Sequence, residues 1–280
     1  MVNMNQLTKD RRVRVIAALV EGNSIRATVR MTDVAKNTIV KLLCDIGQAC
    51  ERYHDKVMVN LPCKRIQVDE IWSFCRAKQK NVPDEHQGKF GWGDLWTWTS
   101  IDADMKLVPQ WLVGLRDASW ANAFISDLAY RLRNRVQLTS DGHKTHLRAI
   151  EDAFGGDIDY AMLIKLYGKT GDEDETHRYS PSEVTGCCID VIEGSPDPRH
   201  ISTSYAERAN LTMRMSMRRF TRLTNAFSKK VENLSYAVAL HFTHYNFCRI
   251  HQSLRITPSM AAGVSDHVWE LSELIDLIDK

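Results

Sequence analysis

No stretch of the 280-residue chain approaches the roughly 18 uncharged apolar residues needed to cross a bilayer. Its opening, MVNMNQLTKDRRVRV, is polar and basic where a signal peptide needs an apolar core. There is no C-x-x-C pair. The seven cysteines (Cys44, Cys50, Cys63, Cys75, Cys187, Cys188, Cys248) form an odd set that includes a vicinal pair unable to bridge readily to itself. A disulfide framework is therefore excluded, and reduced thiols in a cytoplasmic setting are expected. Global disorder is excluded by 44% hydrophobic and 26% charged residues. What remains is chain enough for one large domain, or for a catalytic domain with a small appendage.

The net charge of +2 hides an uneven distribution. Residues 1–65 carry twelve Lys/Arg against six Asp/Glu, and residues 203–280 carry ten against seven. The middle, 66–202, has 15 against 22. Basic ends around an acidic centre suit a protein whose ends hold a polyanion while its centre concentrates carboxylates.

In TKDRRVRVIAALVEGN, Val13, Ile16, Ala17 and Val20 fall at helical spacing before Gly22, a residue favoured just past a helix end. Asn23-Ser24 can cap a second, short helix through about Arg30. Met31-Thr32-Asp33 supplies the next turn before VAKNTIVKLLCDIGQAC, with Val34, Ile39, Leu42, Leu43 and Ile46 inward. Three helices with tight turns predict a helix-turn-helix, whose last helix presents Lys36, Asn37, Thr38 and Lys41 to a DNA major groove. A plain helical bundle needs the same apolar pattern, and the basic balance tips the reading toward DNA.

After Pro62, KRIQVDEIWSFCR alternates and predicts a strand. Asp is depleted in strands, so Asp69 points to a role other than stability. Alternation prefers Asp69 over Glu70, which shares the face of Val68 and Trp72. GDLWTWTSID and KLVPQWLVGLRD predict a hairpin turning at Ala103-Asp104-Met105, with Trp92, Trp96, Trp98 and Trp111 in the core. A helix over about Ser119 to Leu132 and a buried strand at Val136 to Leu138 follow. The latter ends in Ser140-Asp141-Gly142, placing Asp141 at the carboxyl edge where α/β sheets bind ligands, with Gly142 relaxing the backbone. A helix over Thr145 to Phe154 and a strand at DYAMLIKLY complete a β-β-β-α-β-α-β order, that of the ribonuclease H-like fold.

Beyond a polar stretch from about Gly168 to Pro198, Thr203 or Ser204 can cap a long helix with Glu207 in its first turn. Asn210, Leu211 and Arg214 fall on roughly the same face. From 208 to 231 there are seven basic residues and no acidic one. Asp69, Asp141 and Glu207 together supply what a two-Mg2+ site requires, with Mn2+ able to substitute. Their carboxyl groups are expected within roughly 4 to 8 Å of one another.

The segments VDEIWSF, TSDGHKTHL, SYAERANLTMRMSMRRFTRLTNAFSKK and HYNFCRIHQSLRITPSMAAG resemble the insertion sequence one family of bacterial DDE transposases. The resemblance covers most of the chain. It implies Asp69, Asp141 and Glu207 as catalytic and metal-binding residues, and Arg214 as the basic residue contacting the element end, with Arg218 near the same face and Arg222 turned further round. It implies an enzyme that binds terminal inverted repeats of double-stranded DNA, cuts a phosphodiester to leave a 3′-OH and joins that end to target DNA. It also implies a homodimer or larger synaptic assembly, in the bacterial cytoplasm and on the nucleoid when bound. Members of this family often carry a cysteine cluster ahead of the helix-turn-helix, and this chain begins too late to contain one, so zinc is not expected. The long spacing from Asp141 to Glu207 leaves residues 156–200 open as a lid or an insertion. The rival readings are a ribonuclease H-like nuclease without joining activity and a domesticated, non-catalytic DNA-binding protein.

In VENLSYAVALHFTHYNFCRIHQSLRI, Leu234, Val238, Phe242 and Tyr245 predict a buried helix. His241, His244 and His251 have no accompanying carboxylate or Cys at zincin spacing. The expected division is a helix-turn-helix domain at 1–60, a ribonuclease H-like α/β catalytic domain at 61–225 and a C-terminal helical segment at 226–280.

Overall fold

The computed structural model describes residues 7–167, 184–221 and 225–279. Helix α1 spans Lys9–Val20, with the Thr8 hydroxyl accepting from the Arg11 N–H. Gly22 ends it at φ +77°, and a Cβ there would stand 3.1 Å from the Met215 carbonyl oxygen. Only glycine combines that backbone with so close an approach. Ser24 caps α2 (Ile25–Thr32), which stops at Asp33 in the left-handed region. Helix α3 (Lys36–Val57) runs past the expected end at Cys50.

The apolar faces of α1 and α3 do not close on each other alone. Val15, Ile16, Ile39, Leu43 and Ile46 share one buried cluster with Leu234, Val238 and Phe242 of the C-terminal helix α7 (Val231–Thr243). Helices α3 and α7 cross at Gly47, where a Cβ would sit 2.3 Å from that of Tyr236. Among the described residues no helix is long and apolar enough to cross a membrane.

The protein is a mixed α/β structure with a six-stranded sheet in the order β3-β2-β1-β4-β5-β6. Strands β1 (Arg65–Cys75), β2 (Gly93–Asp102) and β3 (Trp111–Gly114) pair antiparallel. Strands β4 (Gln137–Ser140) and β5 (Asp159–Tyr167) run parallel to β1, and β6 (Val184–Glu193) returns antiparallel to β5. Helices α4 (Ala118–Arg131) and α5 (Thr145–Phe154) connect the parallel strands and cover one face of the sheet. The other face carries α6 (Ser204–Ser216) and the cluster built by α1, α3 and α7.

Three elements differ from expectation. Strand β3 begins only at Trp111, because Asn246 bonds both the Val108 N–H and its carbonyl and so takes the groups a longer ladder would use. Residues 156–200, expected as a lid or an insertion, contain β5 and β6, both members of the sheet; 168–183 lie outside the described residues. The long basic helix stops at Ser216, since Met217 and Phe220 turn into the core and Arg218–Phe220 form a separate short 3-10 turn. Burial of two large apolar side chains, worth about 1.5–3 kcal/mol each, outweighs the few tenths per residue that helix propensity offers.

Candidate active site

Strands β1 and β4 pair only from Arg65 to Gln67 against Gln137 to Thr139. Beyond Gln67, β1 continues without that neighbour, and β4 ends at Ser140, one residue before Asp141. Parallel strands open a crevice at such carboxyl ends. Asp69 and Glu70 stand on its wall, with Asp69 toward α6 and Glu70 toward α5, as strand alternation requires. Because Asp141 lies just past the end of β4, it reaches both: oxygens of Asp69, Glu70 and Asp141 lie within 4.8 Å of one another. An all-oxygen set of this kind suits a hard divalent cation.

Helix α6 is fixed to this wall by Gln67, whose Oε1 accepts from the backbone N–H groups of Tyr205 (2.8 Å) and Ala206 (3.1 Å). The N-cap residue Thr203 makes no side-chain cap bond; Ser202 Oγ accepts from the Ser204 N–H at 3.2 Å, and the strand residue Gln67 takes the next two N–H groups. Two residues on, Asp69 Oδ2 accepts from Asn210 Nδ2 of the same helix at 2.7 Å, and its Oδ1 accepts from the Glu70 N–H at 2.8 Å. Burial pushes the Asp69 carboxyl up to about 7, and the charges of Glu70, Asp141 and Glu207 add to the rise against that backbone bond.

Asp141 is half-exposed, and its Oδ1 accepts from the His143 N–H at 3.0 Å in the turn toward α5. Gly142 has no left-handed backbone; a Cβ there would lie 3.3 Å from Ile164, so close packing and not conformational freedom favours glycine. Glu207 lies outside the close carboxylate group. Its Oε1 accepts from Thr203 Oγ1 at 2.6 Å and pairs with Lys165 of β5. Of the three carboxylates expected to converge, the structure brings Asp69 and Asp141 together, while Glu207 stands apart and reaches Asp69 through its charge.

Glu70, set aside by the alternation argument, is buried among cationic partners. Arg116 lies 3.1 Å from its Oε2 and stacks over Trp96, and His146 Nε2 lies 2.7 Å from its Oε1. Burial pushes the Glu70 carboxyl up, yet His146, Arg116 and His143 outweigh it and leave the group below its usual range. Sequence reading weighed Glu70 only as a replacement for Asp69, and missed Arg116, His146 and Asn210 as members of the candidate site. The His143-Lys144-Thr145-His146 spacing was the one local signal for the imidazoles.

Lys36, Asn37, Thr38 and Lys41 are all exposed at the start of α3, a helix with no side-chain cap at its N-terminus. Lys41 pairs with Asp45 at 2.6 Å. Arg214 is half-exposed in the last turn of α6. Arg218, expected on the same helical face, lies beyond the helix in the 3-10 turn, exposed. Arg222 lies outside the described residues.

No family model matches the chain, and no curated protein does. Solved structures that align with the chain include two transposase complexes, both at low identity and with TM-scores below 0.5. One is the piggyBac transposase synaptic complex with hairpin DNA, at 9% identity and a TM-score of 0.42, covering 99% of this chain and 72% of that one. The other is the Mos1 mariner paired end complex with Mn, at 13% identity and a TM-score of 0.28, covering 85% of this chain and 76% of that one.

Proposed function

We propose that the protein is a DDE-type transposase of an insertion sequence, cutting DNA at terminal inverted repeats and joining the 3′-OH ends to target DNA. One observation carries the reading: Asp69 stands beside Asp141 at the open end of the sheet and is tied through Asn210 to the helix that bears Glu207. Two carboxylates, from β1 and the end of β4, then share one crevice, with Glu207 on α6 near enough for its charge to add to the rise that burial gives the Asp69 carboxyl. Asp69 and Asp141 would hold a divalent cation, Mg2+ or Mn2+, with Glu207 recruited from Lys165. Bound there, with a second ion held between Asp69 and Glu207, divalent metal would supply activation of an attacking oxygen and stabilisation of a leaving one at phosphorus. The chain's own part is to hold the scissile phosphate: Arg214, two turns beyond Glu207 on α6, is the residue assigned to it, with Arg218 behind. The exposed start of α3 (Lys36, Asn37, Thr38, Lys41) is assigned to the element end as the reading helix of a helix-turn-helix, where positive side chains add to the helix dipole. The element order β-β-β-α-β-α-β supports a ribonuclease H-like domain over 61–225, flanked by 1–60 and 226–280. Assembly as a dimer or larger would bring two ends together.

The test is an assay on a plasmid carrying the element's ends, with Mg2+, scoring cut and joined products separately. Asp69→Asn and Asp141→Asn should each lower cutting by about 10³-fold or more, about 4 kcal/mol of barrier. Retention of the ends on the protein should persist in both variants. Cutting without joining in the unaltered protein would identify a nuclease instead, and undiminished cutting in both variants would overturn the assignment.

A further inference from the structure

On the α5 side of β1, Glu70, His143 and His146 form a second group whose ligand atoms lie within 4.8 Å of one another. It shares only Glu70 with the carboxylate group. The imidazole of His146 is fully buried, and neither of its nitrogens has a hydrogen-bond partner. Glu70 Oε1, the atom that its Nε2 faces at 2.7 Å, is equally buried. Buried polar atoms are ordinarily satisfied, and here His146 Nε2 and Glu70 Oε1 face each other while Nδ1, on the far edge of the ring, has no partner, a set that an ion between Nε2 and Oε1 would complete. His143 Nδ1 lies 3.8 Å from the same Glu70 oxygen.

We propose that Glu70, His143 and His146 bind one transition-metal ion, Zn2+ by ligand class, at a site separate from the Mg2+ or Mn2+ site of the proposed transposase reaction. Two imidazoles and one carboxylate form a donor set that zinc accepts with a fourth position left open. The turn that opens α5 sets the two rings near each other, the His146 N–H bonding the His143 carbonyl at 3.2 Å. Arg116 occupies Glu70 Oε2 at 3.1 Å, leaving Oε1 for the ion and fixing the plane of the carboxylate as an outer partner does. Thr145 Oγ1, now 2.5 Å from His143 Nδ1, would yield that nitrogen or become an outer partner itself. Trp98 walls the site, its ring 5.5 Å from that of His146 and edge-on to it. An ion here would lock the start of α5, and with it the Asp141 turn, against β1.

Metal-free full-length protein titrated with Co2+ alone should develop the strong visible absorption of a four- or five-coordinate site containing nitrogen, and Zn2+ should displace it at one ion per chain. The Asp69→Asn/Asp141→Asn double variant should keep this site, because it removes carboxylates of the other group only. His143→Ala, at a half-buried position that tolerates truncation, should weaken Zn2+ binding by more than the roughly 10- to 100-fold lost with an outer partner. His146→Gln should do the same, with circular dichroism reporting the fold. A weak six-coordinate cobalt spectrum, loss of the site in the double Asp variant, or unchanged affinity in His143→Ala would each overturn the proposal. Since the double Asp variant abolishes the proposed cutting but keeps this site, the two readings fail separately.

Discussion

Asp69 and Glu70 are adjacent in one strand and opposite in circumstance. Asp69 looks across at Asp141 and Glu207 with an amide, Asn210, as its side-chain support, and its proton affinity rises to about 7. Glu70 looks the other way, onto Arg116 and two imidazoles, and its proton affinity falls. Both are largely buried, so desolvation acts on both in the same direction; the neighbours decide the sign. The α6 face of β1 concentrates negative charge, as a site that draws in cations must, while the α5 face already supplies positive groups and fixes the geometry.

If that contrast is right, the two carboxylates should respond oppositely to removal. The largest effect is expected at Glu70: Glu70→Ala takes the carboxylate from Arg116 and leaves the buried His146 without the oxygen it faces, and should cost about 3 kcal/mol in urea unfolding. A loss below 1 kcal/mol would mean that Arg116 and His146 find other partners. Asp69 should show the reverse, in a pH-dependent form. Its folded carboxyl holds a proton to about pH 7, whereas the unfolded one releases it near 3.9. Between those values the folded chain binds more protons, so stability in chelator falls as pH rises from about 4 to about 7 and levels off above. Asp69→Asn should remove that slope and be the more stable protein at pH 8 by a few kcal/mol at most, with the gap closing at pH 4 and on adding Mg2+. A gap independent of pH would place the effect in packing instead. The smallest effect is expected at the joint between strand and helix: Gln67→Ala uncaps α6 and should cost about 1–2 kcal/mol, with slower cutting as Asn210 drifts from Asp69. Unchanged activity at that stability cost would show that α6 needs no strand to place it.

Much of the frame was legible in the sequence. The helix read over about Ser119 to Leu132 forms at Ala118–Arg131, α5 occupies Thr145–Phe154 as read, and DYAMLIKLY is β5. These segments bury one face or both, so their periodicity carries the signal. Strand β6 was missed because its residues are exposed along nearly its whole length, leaving no inside-outside alternation to read. The end of α6 was missed because Met217 and Phe220 are pulled inward by partners distant in sequence. The site divided in the same way. Asp69 and Asp141 were legible from strand position, while Asn210, Arg116 and the capping by Gln67 depend on contacts that no local window contains. The pairing of Glu70 with His146 was hidden by the very alternation rule that selected Asp69.

The bond from Gln67 to Tyr205 spans 138 residues. During synthesis, β1 and Asp141 leave the ribosome long before α6 exists, and closing so long a loop is late as well as slow. A chain stopped before residue 203 would contain both aspartates yet neither Glu207 nor the helix that orders Asp69. On the proposed DNA-cutting function this order of events is a safeguard: abortive or truncated products would be inert, and only a chain that extends through α6 would acquire the means to cut.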